Sequence, residues 1–307
     1  TDAPEVLGRV RSLSELVGRD KVKTIPPAGP ELPDVEAVVL GDSVAAGLGG
    51  PPLPDPSPAD EACGRSSAAF AATLARVNGW TVRNLACSGA TIRNGVLGRQ
   101  FVAGRWLPSQ LAVAKRAVEA EVVVVNVGAN DMNWSTLVHM CAVFESCDDR
   151  AQTAYFQRSL DGFTREYYDL LRQLSTLPGD PTVLVNRYYA PFDPGQDCLE
   201  DDGLTGDKVE VLLGRLEALN AVIAGGAETF GFLTSHPDFR GHELCTAQSF
   251  VQGLGEEAPL HPNVRGQLVI ALAVERALLT GEGSGVADAE QARGPADMPS
   301  QADGPSA

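Results

Sequence analysis

Positive charge is what this chain has little of. Its 307 residues carry 24 lysines and arginines against 40 aspartates and glutamates, a formal net charge of -16 at pH 7. Like charge repels such a chain from phosphate, which argues against nucleic acid or an anionic membrane as a partner. Apolar runs are short as well, and none approaches the roughly 20 residues that a membrane span requires. Histidine is scarce, with four in all. Three of them, His139, His236 and His242, have no metal-ligand spacing with another histidine or a cysteine, so structural or surface roles are expected and no metal. The six cysteines show neither a zinc-type spacing nor a redox Cys-x-x-Cys pair. The glycine-rich stretch from Gly41 to Gly50 lacks the lysine of a phosphate-cradling loop. No cofactor is expected.

What is present can build a core, since 44% of the residues are hydrophobic. Apolar runs at Val35–Leu40, Thr81–Leu85, Val122–Val127, Thr182–Val185 and Phe230–Leu233 alternate with helical patterns. The helices fall at Ser66–Val77, Pro108–Val118, Gln152–Leu174, Asp207–Ile223 and Pro262–Leu279. That alternation predicts an α/β fold in three layers, a parallel sheet with helices on both faces. One domain is expected over residues 35–280. Residues 1–34 read as an N-terminal extension ending in a proline-rich linker, Ile25-Pro26-Pro27-Ala28-Gly29-Pro30. Residues 281–307 are too polar to bury and are expected to form a disordered tail. A chain that begins at Thr1 rather than methionine is compatible with removal of a leader or an upstream anchoring segment.

Four segments carry chemistry. Val38-Val39-Leu40-Gly41-Asp42-Ser43 breaks off at a glycine and delivers a serine to a strand's carboxyl end, where open parallel sheets bind their ligands. Taken alone, Gly-Asp-Ser is equally a conformational turn. The run Val122–Val127 ends in the same way, in Gly128-Ala129-Asn130-Asp131. Asn84-Leu85-Ala86-Cys87-Ser88-Gly89-Ala90-Thr91 offers a glycine whose N–H can approach a ligand closely. Leu260-His261-Pro262-Asn263 leads into the last helix, with Pro262 suited to the first helical position. Asp131 reads as a helix cap and Asp42 as a turn-stabilising side chain. The proline-rich segment Gly47–Ala62 is either an inert loop or a wall of the crevice. Trp134, Tyr188 and Tyr189 either line the site or cap the core.

With serine, glycine, asparagine and histidine in that order, the chain resembles the SGNH hydrolases, also called the GDSL esterase/lipase family, from roughly Val35 to Leu279. The resemblance implies a five-stranded sheet in the flavodoxin-like order 2-1-3-4-5. It implies a serine esterase or lipase that cleaves acyl esters of lipids or acylated glycans, with Ser43 as nucleophile and His261 as base. The main-chain N–H groups of Ser43 and Gly89 and the side-chain amide of Asn130 would form the oxyanion hole. An O-acyltransferase passing the acyl group to a carbohydrate hydroxyl would use the same residues. A non-catalytic carbohydrate-binding domain would leave the register of Asn130 and His261 with Ser43 unexplained.

Two departures from the family pattern stand out. Val44 replaces the usual leucine, an apolar exchange of small consequence. Ala258 stands three residues before the histidine, where the family usually has aspartate. A histidine base needs its other nitrogen held. The backbone carbonyl of Ala258, or the carboxylate of Glu257 or Glu256, could hold it. The carbonyl is favoured, because a shift of one residue along an extended segment points a side chain the opposite way.

An even number of cysteines points to an oxidising compartment if they pair, buried free thiols being the alternative. Pairing in sequence order, Cys63–Cys87, Cys141–Cys147 and Cys198–Cys245, resembles that of secreted actinobacterial-type members. A monomeric, secreted or extracytoplasmic protein acting on a small-molecule or glycan acyl ester is therefore expected.

Overall fold

The computed structural model describes residues 24–281. Along the chain run β1 (Ala37–Gly41), α1 (Ser43–Ala46), α2 (Pro58–Cys63), α3 (Phe70–Asn78), β2 (Val82–Asn84), β3 (Gln100–Val102), β4 (Arg105–Leu107) and α4 (Gln110–Ala114). There follow β5 (Val122–Asn126), α5 (Trp134–Val143), α6 (Arg150–Leu174), β6 (Thr182–Asn186), α7 (Gly206–Phe230), β7 (Leu233–Ser235) and α8 (Val264–Thr280). Five strands form one parallel sheet in the order β2-β1-β5-β6-β7. Counted along the chain within that sheet, this is the expected 2-1-3-4-5. The central strands β1 and β5 are buried at every residue, which explains their unbroken runs of valine and alanine: helices cover both faces.

The end of β1 decides where the next residues go. Gly41 has φ +149°, and a Cβ there would stand 2.1 Å from the Asn126 carbonyl oxygen. Only glycine lets β1 close on β5 at this point, where the Asp42 N–H then donates to that same oxygen at 3.0 Å. Gln110 of α4 clamps both main-chain groups of Gly41, accepting from its N–H at 2.8 Å and donating to its carbonyl at 2.9 Å. The chain leaves the sheet abruptly, and Ser43 begins a helix.

Some expectations are corrected. The run Phe230–Leu233 is mostly not a strand. Helix α7 continues to Phe230, Gly231 ends it in the left-handed conformation, and the strand is Leu233–Ser235. Short apolar runs do not distinguish a buried helix end from a strand. The proline-rich stretch Gly47–Ala62 contains α2, started by a capping box between Ser57 and Asp60 with Pro58 in the first turn. The pattern at Pro108–Val118 yields an α-helix only over Gln110–Ala114. The hairpin β3–β4 was not expected. It turns through Ala103 and Gly104, both at positive φ (46° and 78°), the geometry of a tight two-residue hairpin loop.

The three disulfides pair in sequence order. Cys63–Cys87 ties the end of α2 to the loop that carries Gly89, and Cys198–Cys245 joins the loops after β6 and β7. The proline-rich linker lies against α4: the N–H groups of Ala28 and Leu32 donate to the carbonyls of Ala112 and Arg116 at 2.8 and 2.7 Å. Residues 1–23 and 282–307, which include most of the N-terminal extension and nearly all of the expected tail, lie outside the described residues. Among the described residues no helix is long and apolar enough to cross a membrane.

Candidate active site

Ser43 is the first residue of α1, and Asp42 caps that helix, its Oδ1 accepting from the Val44 N–H at 2.9 Å. Asp42 is fully buried. Its Oδ2 accepts from the Tyr188 hydroxyl at 2.5 Å, and the Tyr188 oxygen accepts from the Ala129 N–H at 3.0 Å. One phenol thus joins the turn before Ser43 to the turn before Asn130. Loss of water raises the Asp42 carboxyl to about 6, against the opposing hydrogen bonds from Tyr188 and the main chain.

His261 reaches Ser43 from the far end of the chain: its Nε2 lies 2.7 Å from Ser43 Oγ. Its Nδ1 lies 3.0 Å from the carbonyl oxygen of Pro259. A carbonyl only accepts, so Nδ1 carries the proton and Nε2 presents a lone pair to the serine hydroxyl. The direct Nδ1 hydrogen bond therefore goes to a backbone carbonyl, that of Pro259, with the Ala258 carbonyl also favouring the protonated ring. The Ala258 carbonyl accepts as well from the His261 main-chain N–H at 3.2 Å. Residues 258–261 form a turn, with Leu260 at φ +66°, and the alternation assumed for an extended segment does not apply. Glu256 and Glu257 are exposed and take no part in this contact.

The histidine turn is fixed from outside. The Leu260 N–H donates to the Gln252 carbonyl at 3.0 Å, the Gln252 N–H donates to the His261 carbonyl at 2.7 Å, and the Tyr189 hydroxyl donates to the Leu260 carbonyl at 2.7 Å. Tyr189 itself stacks on Phe239. Burial holds the His261 imidazole below the usual histidine value, against the raising effect of the carbonyls of Pro259 and Ala258.

The other two blocks bring donors. Among the described residues, no protein acceptor takes the main-chain N–H of Ser43 or of Gly89. Asn130 Nδ2 donates to the Ala90 carbonyl at 3.0 Å, which fixes the amide and uses one of its two hydrogens. Gly89 is anchored through its neighbour: Ser88 donates from both N–H and Oγ to the Cys63 carbonyl, and Gln100 Nε2 donates to the Ser88 carbonyl at 2.8 Å. Asn130 shares the cleft with Ser43, and the N–H groups of Ser43 and Gly89 with the second Asn130 amide hydrogen are the donors left without a protein acceptor among the described residues.

Asp131 is not a helix cap. Helix α5 begins at Trp134 behind Asn133, which makes no side-chain cap. The Asp131 Oδ1 accepts from the Ile92 N–H at 2.9 Å, while Oδ2 is buried without a partner. Burial raises this carboxyl to about 7, and the charges of Glu166 and Asp42 add to the effect. A carboxyl raised on folding binds more protons in the native than in the unfolded state between about pH 4 and 7, so its contribution to stability falls as pH rises through that range. Asp131→Asn should therefore raise Tm at pH 8, by on the order of 5 °C, and raise it far less at pH 5. Equal shifts at both pH values in thermal melts would refute the buried charge.

The serine opens into a cleft of about 100 Å³ walled by Val44, Trp134, Tyr188, Tyr189, Leu216 and Leu219 among others. The rings of Tyr188 and Tyr189 line it, while their hydroxyls hold the loops. Residues 47–62 do not line it. Gln252 Nε2 donates to the Leu48 carbonyl at 2.8 Å, so that segment braces the histidine turn from behind. A larger cavity of about 190 Å³, bordered by Arg65, Arg83 and Arg116, contains neither Ser43 nor His261. Among the described residues there is no cluster of three or more His, Cys, Asp or Glu that could hold a metal ion.

A parallel sheet between helical layers, with a serine and an imidazole hydrogen-bonded at its carboxyl edge, defines a serine hydrolase of the esterase and lipase class. The chain belongs to the GDSL-like lipase/acylhydrolase family, whose pattern it matches over residues 39–269. Among solved structures it is similar to an extracellular lipase from Streptomyces rimosus, at 22% identity and a TM-score of 0.66, over 79% of this chain and 99% of that one. It is also similar to phospholipase A1 from Streptomyces albidoflavus NA297, at 22% identity and a TM-score of 0.60, over 78% of this chain and 98% of that one. At such identity the likeness is one of fold. No curated protein matches the chain. Three disulfides mark it as extracytoplasmic.

Proposed function

We propose that the protein hydrolyses carboxylic esters through an acyl-enzyme on Ser43, with His261 as general base and acid and the Pro259 carbonyl in the place of a triad acid. The observation that carries this reading is the 2.7 Å contact between Ser43 Oγ and His261 Nε2 at the mouth of an apolar cleft. As the Ser43 oxygen bonds to the ester carbonyl carbon, its proton passes to Nε2. The oxyanion takes hydrogen bonds from the Ser43 and Gly89 N–H groups and from the second Asn130 hydrogen. The carbon–oxygen bond to the leaving group then breaks, and Nε2–H protonates the departing alkoxide. Water repeats the sequence in reverse to free the acid and restore Ser43.

Cleft size bears on the substrate. Sites that enclose a drug-sized ligand span roughly 300–1,000 Å³, so a space of about 100 Å³ takes in only part of an acyl chain. Apolar walls without a free charge suit an acyl group better than a bare sugar. We read the substrate as an acyl ester whose chain enters beside Trp134 and whose leaving group faces solvent, acted on outside the cytoplasm by a monomer. Transfer of the same acyl group to a carbohydrate hydroxyl would show as a new ester product when a glycan acceptor is added.

Incubation with a fluorophosphonate, or quenching during turnover of a p-nitrophenyl ester, should place one covalent adduct on the peptide containing Ser43, detectable by mass spectrometry. Turnover without an adduct at Ser43 would sink the acyl-enzyme.

A further inference from the structure

The net charge of the chain conceals a polarised distribution. From Ala62 to Val118 there is no aspartate or glutamate, although the chain has 40, while eight of its 24 cationic residues fall there: Arg65, Arg76, Arg83, Arg93, Arg99, Arg105, Lys115 and Arg116. Out of this stretch stands the hairpin β3–β4. Its register pairs Phe101 with Trp106 across the strands, and the two rings lie side by side with centroids 5.3 Å apart. Both are 59% exposed. The guanidinium of Arg99 sits 4.9 Å from the Trp106 ring centroid, and Arg105, beside the turn, is exposed as well. Adjacent large aromatics in water are costly unless something covers them.

The other face of the hairpin looks inward. Gln100 is buried and donates to the Ser88 carbonyl, one residue before Gly89. The alternation of a two-stranded ribbon thus directs Phe101 and Trp106 outward while Gln100 grips the loop that carries an oxyanion donor. A surface bound by the exposed pair would thus contact the element that holds the Gly89 loop.

We propose that the hairpin β3–β4 is an interfacial anchor, with Phe101 and Trp106 entering the headgroup layer of an anionic phospholipid surface and Arg99 and Arg105 pairing with its phosphates. Tryptophan and phenylalanine flanked by arginine match the chemistry of such an interface, where amphipathic rings sit at headgroup depth and basic residues meet negative lipid. A neutral glycan would gain hydrogen bonds but no charge pairing from the cations, and Arg99 already occupies one face of the Trp106 ring that a sugar would stack on. The overall charge of -16 does not forbid this contact, because screening confines charge effects to about 8–10 Å in physiological salt and the hairpin itself carries exposed Arg99 and Arg105 and no acid, although Arg65, Arg93 and Lys115 of the same stretch are buried or paired. The inference adds a docking surface to the proposed ester hydrolase, but binding can be measured with turnover abolished, so the two stand or fall separately.

The test uses the full chain carrying Ser43→Ala, with flotation on vesicles of phosphatidylglycerol or of phosphatidylcholine. Binding is expected on the anionic vesicles, with a blue shift of tryptophan emission, and weaker binding in high salt. Phe101→Ala with Trp106→Ala should lower it by about tenfold or more, and Arg99→Gln with Arg105→Gln should remove its salt dependence. On the Ser43 background, both double variants should turn over a soluble short-chain ester as the parent does, which shows that they are folded. Absence of binding to anionic vesicles, retention of binding in the aromatic variant, or capture by a neutral insoluble glycan that depends on the same two rings would each overturn the proposal.

Discussion

Ser43→Ala and His261→Ala are each expected to reduce kcat for a p-nitrophenyl ester by about 10⁴-fold or more, while Glu257→Ala keeps most of the activity. The asymmetry follows from the geometry of the imidazole. Removing Ser43 removes the atom that bonds to carbon, and removing His261 leaves a hydroxyl with no partner to take its proton. Glu257 is exposed and makes no contact with the ring, whose Nδ1 is held by the Pro259 carbonyl. A carbonyl cannot be deleted by mutation, and it carries no charge to stabilise the imidazolium. The pH profile is a second readout. His261 must be neutral to accept a proton, and burial holds its pKa below 6.5. The acid limb of kcat/KM should accordingly fall below pH 6.5, with no loss up to neutrality. A limb above pH 7, or a large loss in Glu257→Ala, would show that a carboxylate supports the ring.

The parts of this molecule that could be read in the sequence are those where one residue type has one use. Runs such as Val122–Asn126, buried on both faces, point to central parallel strands, and the alternation with helices made the layered sheet foreseeable, while its strand order came from the family resemblance. The blocks around Ser43, Gly89, Asn130 and His261 sit at strand ends and a helix start, and their order along the chain identified them. Harder to read were positions where backbone geometry decides. The turn at Leu260 brings the Pro259 carbonyl to Nδ1 in addition to that of Ala258, and nothing in the residue types announces a leucine at positive φ. Asp131 has the sequence context of a helix cap, yet its carboxyl serves Ile92 across the site. Phe230 and Phe232 look like strand residues but flank a helix end. The hairpin carrying Phe101 and Trp106 did leave a signal, Ala103-Gly104 between two short apolar pairs and a long stretch without acids, but a net charge taken over the whole chain averages it away.

Asn130→Ala should lower kcat by about 10²- to 10³-fold with little change in KM, because the amide is asked to hold charge that exists only once the carbonyl has been attacked. Asn130 does have a structural duty, the hydrogen bond from Nδ2 to the Ala90 carbonyl. That bond contributes only about 1 kcal/mol net, so its loss moves Tm by a few degrees at most and cannot by itself account for a hundredfold fall in rate. Asn130→Asp separates the two duties more sharply. A carboxylate cannot donate to Ala90 or to an oxyanion, and it adds a negative charge beside the one that develops. Nearby Asp131 already shows what this region does to a carboxyl, raising it to about 7. A carboxyl at position 130 that is likewise raised would regain part of its activity as pH falls toward 5, where it becomes a neutral donor, until protonation of His261 shuts the reaction down. Rates of the two variants compared from pH 5 to 8, alongside their melting curves, decide between the roles. If kcat follows Tm in both, Asn130 only holds the loop; if kcat collapses while Tm stays, the second hydrogen of its amide faces the transition state.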